Sequence, residues 1–595
     1  MKNHIFKNYR FLFQTIWEAS ASRVFLNVLF TVINDFFSIF YQVLFFAYFM
    51  GAVEKGKDII EISKVLIVFI LINLVFEVLN SWYHQAYLPR NDVKLSLFLK
   101  NMIYIKITAL DIECFDNPDY YDNVTFALHD LYDRVKSILN NVSQFISHLV
   151  CVFVLIGYFT QVDFLIVMIS LLSVLMSLLF EPVINKYRYR YTNEGLQYRR
   201  RYDYVKRISM QEEYARELRT TNVKNVLNQM LDEACRGLKS LLKKHYRKVS
   251  AFDGVQAFFG FGIVSCITTI ISIYRMVVDK SVTTAMFLPL LGAIAQFTWR
   301  ASSVVCAYTD ILNDNIYLNK FNEFYEYKPK IVSRKDEIAD SAFGGMKIEH
   351  LYFRYHDQDS CILKDICMEI QPGQKIALVG HNGAGKSTLI NLILRLYDPD
   401  QGSITYNQKN ICDYNVQSYR SQYGIVFQDI NVYAATIGQN IAMDTKVYTD
   451  EEMRDMMDAL HLKEKINNYE DGFNTQLTHE LSDSGEMLSI GQRQCLALAR
   501  LFINPEKQFY ILDEPTSALD PIAEEEIFDA LNHYLADQTV IYISHRFSAS
   551  KIADRIYFME SGQIVEQGTH DELIAKNGKY ADLFYLQAKY YRDEK

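Results

Sequence analysis

Gly380-His381-Asn382-Gly383-Ala384-Gly385-Lys386-Ser387 fits G-x-x-x-x-G-K-[ST], a spacing suited to cradling a polyphosphate. The apolar run Ile376-Ala377-Leu378-Val379 reads as a buried strand entering this loop, and Thr388-Leu389-Ile390-Asn391-Leu392-Ile393-Leu394 as a helix leaving it. Glycines let several backbone N–H groups point inward, the helix N-terminus adds partial positive charge, and Lys386 adds a full one. Ser387 is placed to hold Mg²⁺. A chance glycine-rich turn is the competing reading, and the strand–loop–helix context leaves it little room. The chain is expected to bind a nucleoside triphosphate.

The rest of the chain must hold that loop. At 595 residues it has room for three or four domains, although membrane-spanning chains break that rule. Half its residues are hydrophobic, aromatics reach 14%, and the net charge is -9, so neither disorder nor a nucleic-acid partner is expected. The nine cysteines are scattered without C-x-x-C or clustered histidines and read as reduced, buried thiols rather than a disulfide framework or zinc site. Met1 to Lys7 is polar and basic, with no removable signal evident.

Long apolar runs at Val24 to Met50, Val65 to Tyr87, Val142 to Thr160, Phe164 to Ile184, Val255 to Val278 and Ala285 to Tyr308 approach or exceed the roughly 20 residues that cross a bilayer core. Six spans are therefore expected. Lys186 to Lys248 is rich in Lys and Arg, which places it, and with six spans both termini, in the cytoplasm. The outer connections 51–63, 161–163 and 279–284 are short, while the inner segments 89–141 and 186–254 are long and helix-forming. Residues 1–330 thus read as a transmembrane domain and 331–345 as a polar linker. Residues 346–595 read as an α/β domain with one phosphate loop, hence one ATPase domain.

The second half resembles the nucleotide-binding domain of the ATP-binding-cassette (ABC) family, and the whole chain resembles a half-size exporter of that family. The resemblance implies an α-helical membrane domain of six transmembrane helices followed by an α/β P-loop ATPase domain of the ABC type. It is strong over residues 348 to 570, where several motifs occur in the family's order. Over the membrane half it rests on span count and on two segments that look like coupling helices, Glu113 to Asp122 and Tyr214 to Arg219. Plain amphipathic helices are the alternative there.

By that resemblance, Lys386 and the loop from Gly380 to Thr388 hold the phosphates of ATP. Asp513 and Ser387 position Mg²⁺, and Glu514 orients and polarises the attacking water as general base. Gln428, in Gly424-Ile425-Val426-Phe427-Gln428-Asp429, matches the glutamine that contacts Mg²⁺, and His545, after Val540 to Ser544, matches the switch histidine at the γ-phosphate. Tyr355 stands where the family stacks an aromatic on adenine, with Tyr352 and Phe353 competing for the role. Leu488-Ser489-Ile490-Gly491-Gln492-Arg493-Gln494 resembles the signature that binds the γ-phosphate of ATP on the opposite cassette. Ser489, Gly491 and Gln492 are retained, but Ile490 replaces the usual glycine, which puts the equality of the two sites in doubt. Ser517-Ala518-Leu519-Asp520 looks like the D-loop. The implied partner is a second half-transporter, identical or different, in membrane lipid and without nucleic acid.

The span residues Asn34, Asp35, Gln42, Asn73, Glu77, His84, His148, Gln296 and Arg300 suit either a cavity for polar or peptidic cargo or interhelical pairing, for example Asp35 or Glu77 with Arg300. No protease domain precedes the first span, which disfavours a cargo-cleaving peptide exporter. The expectation is ATP-driven export of a peptide, lipid or amphipathic small molecule across a bacterial cytoplasmic membrane. The alternatives are a low-turnover regulatory subunit of a heterodimer and a soluble cassette ATPase acting on DNA or ribosomes.

Overall fold

The computed structural model describes residues 2–117, 131–162, 164–355, 360–443, 448–449, 451–453, 469–503, 507–517, 519, 521–544 and 548–592. They form two compact units, Met1–Thr108 with Asp122–Tyr327, and Ala109–Tyr121 with Lys328–Lys595.

In the first unit the apolar runs become long helices. α1 (Lys2–Ile39), kinked at Ser20, continues through a π-helical turn, Phe40–Phe45, into Phe46–Glu54. α2 (Ile59–Trp82) continues through Tyr83–Tyr87 into Leu88–Thr108. α3 (Leu131–Val162) and α4 (Phe164–Met210) follow. α5 (Val223–Gln256) continues through Ala257–Ile263 into Val264–Val277, and α6 is Thr284–Glu326. Among the described residues, five of these rods are long and apolar enough to cross a membrane. α6 falls outside that set because Gln296, Trp299 and Arg300 dilute its apolar stretch, so five to six apolar helices stand where six spans were expected.

The polar groups inside this unit are largely paired. Arg300 is 2% exposed and reaches the Asp35 carboxylate at 2.8 Å, with His148 Nδ1 3.1 Å from the guanidinium and Ser147 donating to Asp35 at 2.5 Å. Gln296 donates to Gln42 at 2.6 Å. A charge withdrawn from water needs a partner this close. Of the two acids considered for Arg300, Asp35 is the partner, whereas Glu77 is exposed beside Leu74, Val78 and Ser81.

The second unit is built on two sheets. β1 (Met346–Phe353), β2 (Leu363–Ile370), β4 (Gln401–Tyr406) and β5 (Lys409–Asn410) form an antiparallel sheet in the order β2-β1-β4-β5. The other sheet runs β10-β9-β3-β8-β7-β6, using β3 (Lys375–Gly380), β6 (Tyr423–Val426), β7 (Phe509–Asp513), β8 (Thr539–Ile543), β9 (Arg555–Glu560) and β10 (Gln563–Gly568). All but β10 run parallel. β7 and β8 are buried along their whole length, which explains their continuous Ile, Leu, Val, Phe and Tyr rather than an alternating pattern. Ala339 and Phe343, from the polar stretch before β1, are buried in the core of this unit, and Val332 O accepts from Arg395 Nη2 at 2.7 Å.

The cysteines are free, as expected, but only Cys114, Cys151, Cys412 and Cys495 are buried. Cys235, Cys266 and Cys367 are exposed, because each stands on the outer face of a helix or sheet, where spacing between cysteines says nothing about burial.

Candidate functional site

Four neighbouring parallel strands, β3, β8, β7 and β6, end level with one another. Leu378 pairs with Ile543, Ile543 with Asp513, and Leu512 with Val426. Whatever follows each strand therefore lies along one edge, where open α/β sheets place their ligands. The phosphate-binding sequence follows β3, Glu514 follows β7, and Phe427-Gln428 follows β6. His545, expected after β8, lies outside the described residues, as do Ala518 and Asp520.

The loop after β3 turns into α7 (Lys386–Ile393). Gly383 and Gly385 have φ +79° and +101°, the left-handed region that favours glycine. A Cβ at Gly385 would lie 2.7 Å from Leu363 Cδ2, so a larger residue would have to displace that side chain as well as strain the left-handed backbone. His381, Asn382 and Gly383 are exposed, and Ala384 is buried. Lys386 is 7% exposed, and its Nζ donates to the loop's own carbonyls, Gly380 O at 2.8 Å and His381 O at 3.1 Å. Burial lowers its pKa, against the pull of Glu514 and Asp513.

The exposed Ser387 hydroxyl hydrogen-bonds the Asp513 carboxylate. Burial first, and the charge of Glu514 second, push Asp513 up to about 6, while Lys386 and Ser387 act the other way. Glu514 has φ +50° and its N–H donates to Ile543 O at 2.9 Å, which turns its side chain out of the strand direction. Gln428 Nε2 donates to Glu514 Oε2 at 3.2 Å. The edge therefore gathers a hydroxyl, two carboxylates and an amide next to a lysine, an oxygen-rich donor set that suits a hard cation such as Mg²⁺.

Tyr355 sits on the near side of the loop, its hydroxyl 3.4 Å from Thr388 Oγ1. Its ring meets Phe353 and Tyr397 edge-on, with centroids 5.0 Å and 5.3 Å away. It lines a cleft of about 500 Å³ with Arg354, Tyr397, Asp398 and Asp400. Phe353 is buried in the core and has no face to offer a base, and Tyr352 lies within β1 opposite Gln401, whereas Tyr355 is past the strand end. Across the same cleft the Tyr397 hydroxyl donates to Asp116, and Lys330 Nζ meets Glu113 at 2.8 Å. The short helix Glu113–Asp116, the described part of one proposed coupling segment, is thus held within the second unit. The other segment forms a helix, Glu212–Thr220, in the first.

Ser489 caps α8 (Ile490–Phe502). Its Oγ accepts from Gln492 N at 3.3 Å, while Gln492 Oε1 accepts from Ser489 N at 2.9 Å. Ile490, the first helical residue, is 69% exposed, and Gly491 is half-buried. Gln494, on the same helix and 3% exposed, donates to Ser517 Oγ at 2.8 Å and to Glu514 O at 3.4 Å. It ties α8 to the end of β7, a role the sequence reading missed. The available signal was a polar side chain on the helix face that carries Leu498 and Leu501 inward.

Residues 363–517 match the ABC transporter family. Over 266 residues the chain is 40% identical to proteins of Staphylococcus aureus strains NCTC 8325 / PS 47, COL and MRSA252 that are provisionally named multidrug export ATP-binding/permease proteins. The match spans 45% of this chain and 45% of each relative, less than half of either. The fold is similar to that of a bacterial Atm1-family ABC exporter solved with ATP bound, at TM-score 0.79 and 19% identity, covering 96% of this chain and 99% of that one.

Proposed function

From the premise that residues 363–517 form an ABC transporter domain on an ABC exporter fold, we propose that the chain is a half-transporter that couples ATP hydrolysis to export. The observation that carries this reading is the sheet edge that sets Lys386, the Ser387–Asp513 pair and the Gln428–Glu514 pair beside one another. Phosphoryl transfer to water needs charge neutralisation and an oriented nucleophile more than covalent chemistry, and these side chains supply both. Lys386 and the loop N–H groups take the phosphates. Tyr355 offers its ring to adenine, and Glu514 accepts a proton from water once Gln428 moves aside. Ser387, Asp513 and Gln428 would hold Mg²⁺, which supplies charge neutralisation when bound.

Ser489 lies 102 residues beyond Ser387 of the phosphate loop, in a capping box at a helix N-terminus, a ready anion site that suits a second copy's triphosphate. Two half-transporters, identical or different, thus make the working unit. ATP drives it only through a greater affinity for the closed pair. The names of the S. aureus relatives favour an amphipathic small molecule as cargo. Basic residues from Lys186 to Lys248, at the end of α4 and in α5, favour a cytoplasmic ATPase unit and cytoplasmic termini in a bacterial plasma membrane. Ile490 favours a second reading, a subunit with low turnover in a heterodimer. ATPase activity of the purified chain in lipid nanodiscs decides between them. Turnover abolished by Glu514→Gln supports an active half-transporter, and absence of turnover in the parent chain supports the second reading.

A further inference from the structure

β1 and β2 are paired through two reciprocal irregularities. Ile348 faces Met368 and Leu351 faces Ile366, so β1 carries one residue more than β2 across that interval. Leu351 faces Ile366 and Phe353 faces Leu363, so β2 then carries one more than β1. The first bulge contains His350 at φ +47° and the second Asp365 at φ +55°. Bulges re-aim side chains, and here two non-glycine residues take the left-handed conformation to do so. The result is a cluster that a regular ladder would not make. His350 Nδ1 lies 2.7 Å from Asp365 Oδ1 and 3.8 Å from Cys367 Sγ, and the three ligand atoms fall within 4.8 Å of one another.

We infer that His350, Asp365 and Cys367 form a binding site for a borderline-soft divalent cation, with Zn²⁺ the ion that fits best. Ligands around tetrahedral zinc stand about 3.5 Å apart, so small side-chain rotations bring all three into contact with one ion. An imidazole and a thiol select zinc over Mg²⁺ or Ca²⁺, which prefer oxygen. The His350 backbone N–H points at Cys367 Sγ at 3.4 Å, a hydrogen bond that stabilises the thiolate required for binding. Binding releases the thiol proton to solvent. All three residues are exposed, so water completes the coordination. The site is separate from the oxygen-rich edge beside Lys386. Linear spacing concealed it, since His350 and Cys367 meet only when β1 and β2 pair.

The test uses the full chain in detergent micelles with Co²⁺ as spectroscopic probe and Zn²⁺ as competitor. One equivalent of Co²⁺ is expected to give a thiolate-to-metal charge-transfer band that Zn²⁺ abolishes. Cys367→Ser should remove the band and weaken Zn²⁺ at least about tenfold, with ATP binding unchanged. His350→Gln, on the other strand, should weaken Zn²⁺ by a similar factor and keeps the test decisive if the serine variant folds poorly. Absence of the band in the parent chain, or its persistence in Cys367→Ser, overturns the assignment.

Discussion

Among single residues, Glu514 and Asp35 have the most to reveal. Glu514 is held out of the strand direction and already touches Gln428, so Glu514→Gln should keep the fold and nucleotide affinity while slowing ATP hydrolysis about 10²–10⁴-fold. Phosphate release, with retention of labelled ATP as the control, checks it. A parental rate in that variant would remove Glu514 from the role of base. Asp35 neutralises Arg300, which is almost fully buried, so Asp35→Ala leaves an uncompensated charge. The expected loss is about 3–5 kcal/mol, read as a lowered unfolding temperature in detergent. A parallel Glu77→Ala variant should unfold at the parental temperature, because that side chain is exposed and Arg300 already has its partner.

For the elements, α7 and α8 depend on the residue that caps each N-terminus, Gly385 and Ser489. Gly385→Ala forces a Cβ against Leu363 in a left-handed backbone, so ATP affinity should fall more than tenfold in a fluorescent-nucleotide titration. Ser489→Ala removes the cap of α8, at about 1 kcal/mol, and also the hydroxyl proposed for the partner's phosphate. Stability should recover in Ser489→Asp, which still caps, whereas ATPase activity should not, since a carboxylate repels a phosphate. The order of elements was legible because buried parallel strands are continuous apolar runs and the phosphate loop is local in sequence. The pairing partners were not. Gln494 with Ser517, Gln428 with Glu514 and His350 with Cys367 are 23, 86 and 17 residues apart on different elements, and no local pattern encodes which side chains meet. The sixth span, legible in the sequence as the run Ala285 to Tyr308, is the least apolar of the rods because Arg300 lowers the average of α6 while Asp35, on another helix, compensates it.

On the scale of the whole molecule, a phosphate loop and a capped helix on one chain call for a second chain if each completes the other's site. A Ser489→Cys, His381→Cys double variant in a background without Cys235, Cys266 and Cys367 should form intermolecular disulfides with ATP and few without it. Equal cross-linking with and without nucleotide would sink the shared-site reading. The inward fold of Lys386 onto Gly380 and His381 has a further implication. A visiting anion must break two bonds to a charged group, each typically of about 1.5–3 kcal/mol, before it gains any of its own. Inorganic phosphate, with a single short reach, should rarely manage that exchange, whereas a chelating triphosphate replaces both bonds at once. The lysine would thereby act as a threshold against small cellular anions, and a titration comparing inorganic phosphate with ATP checks it.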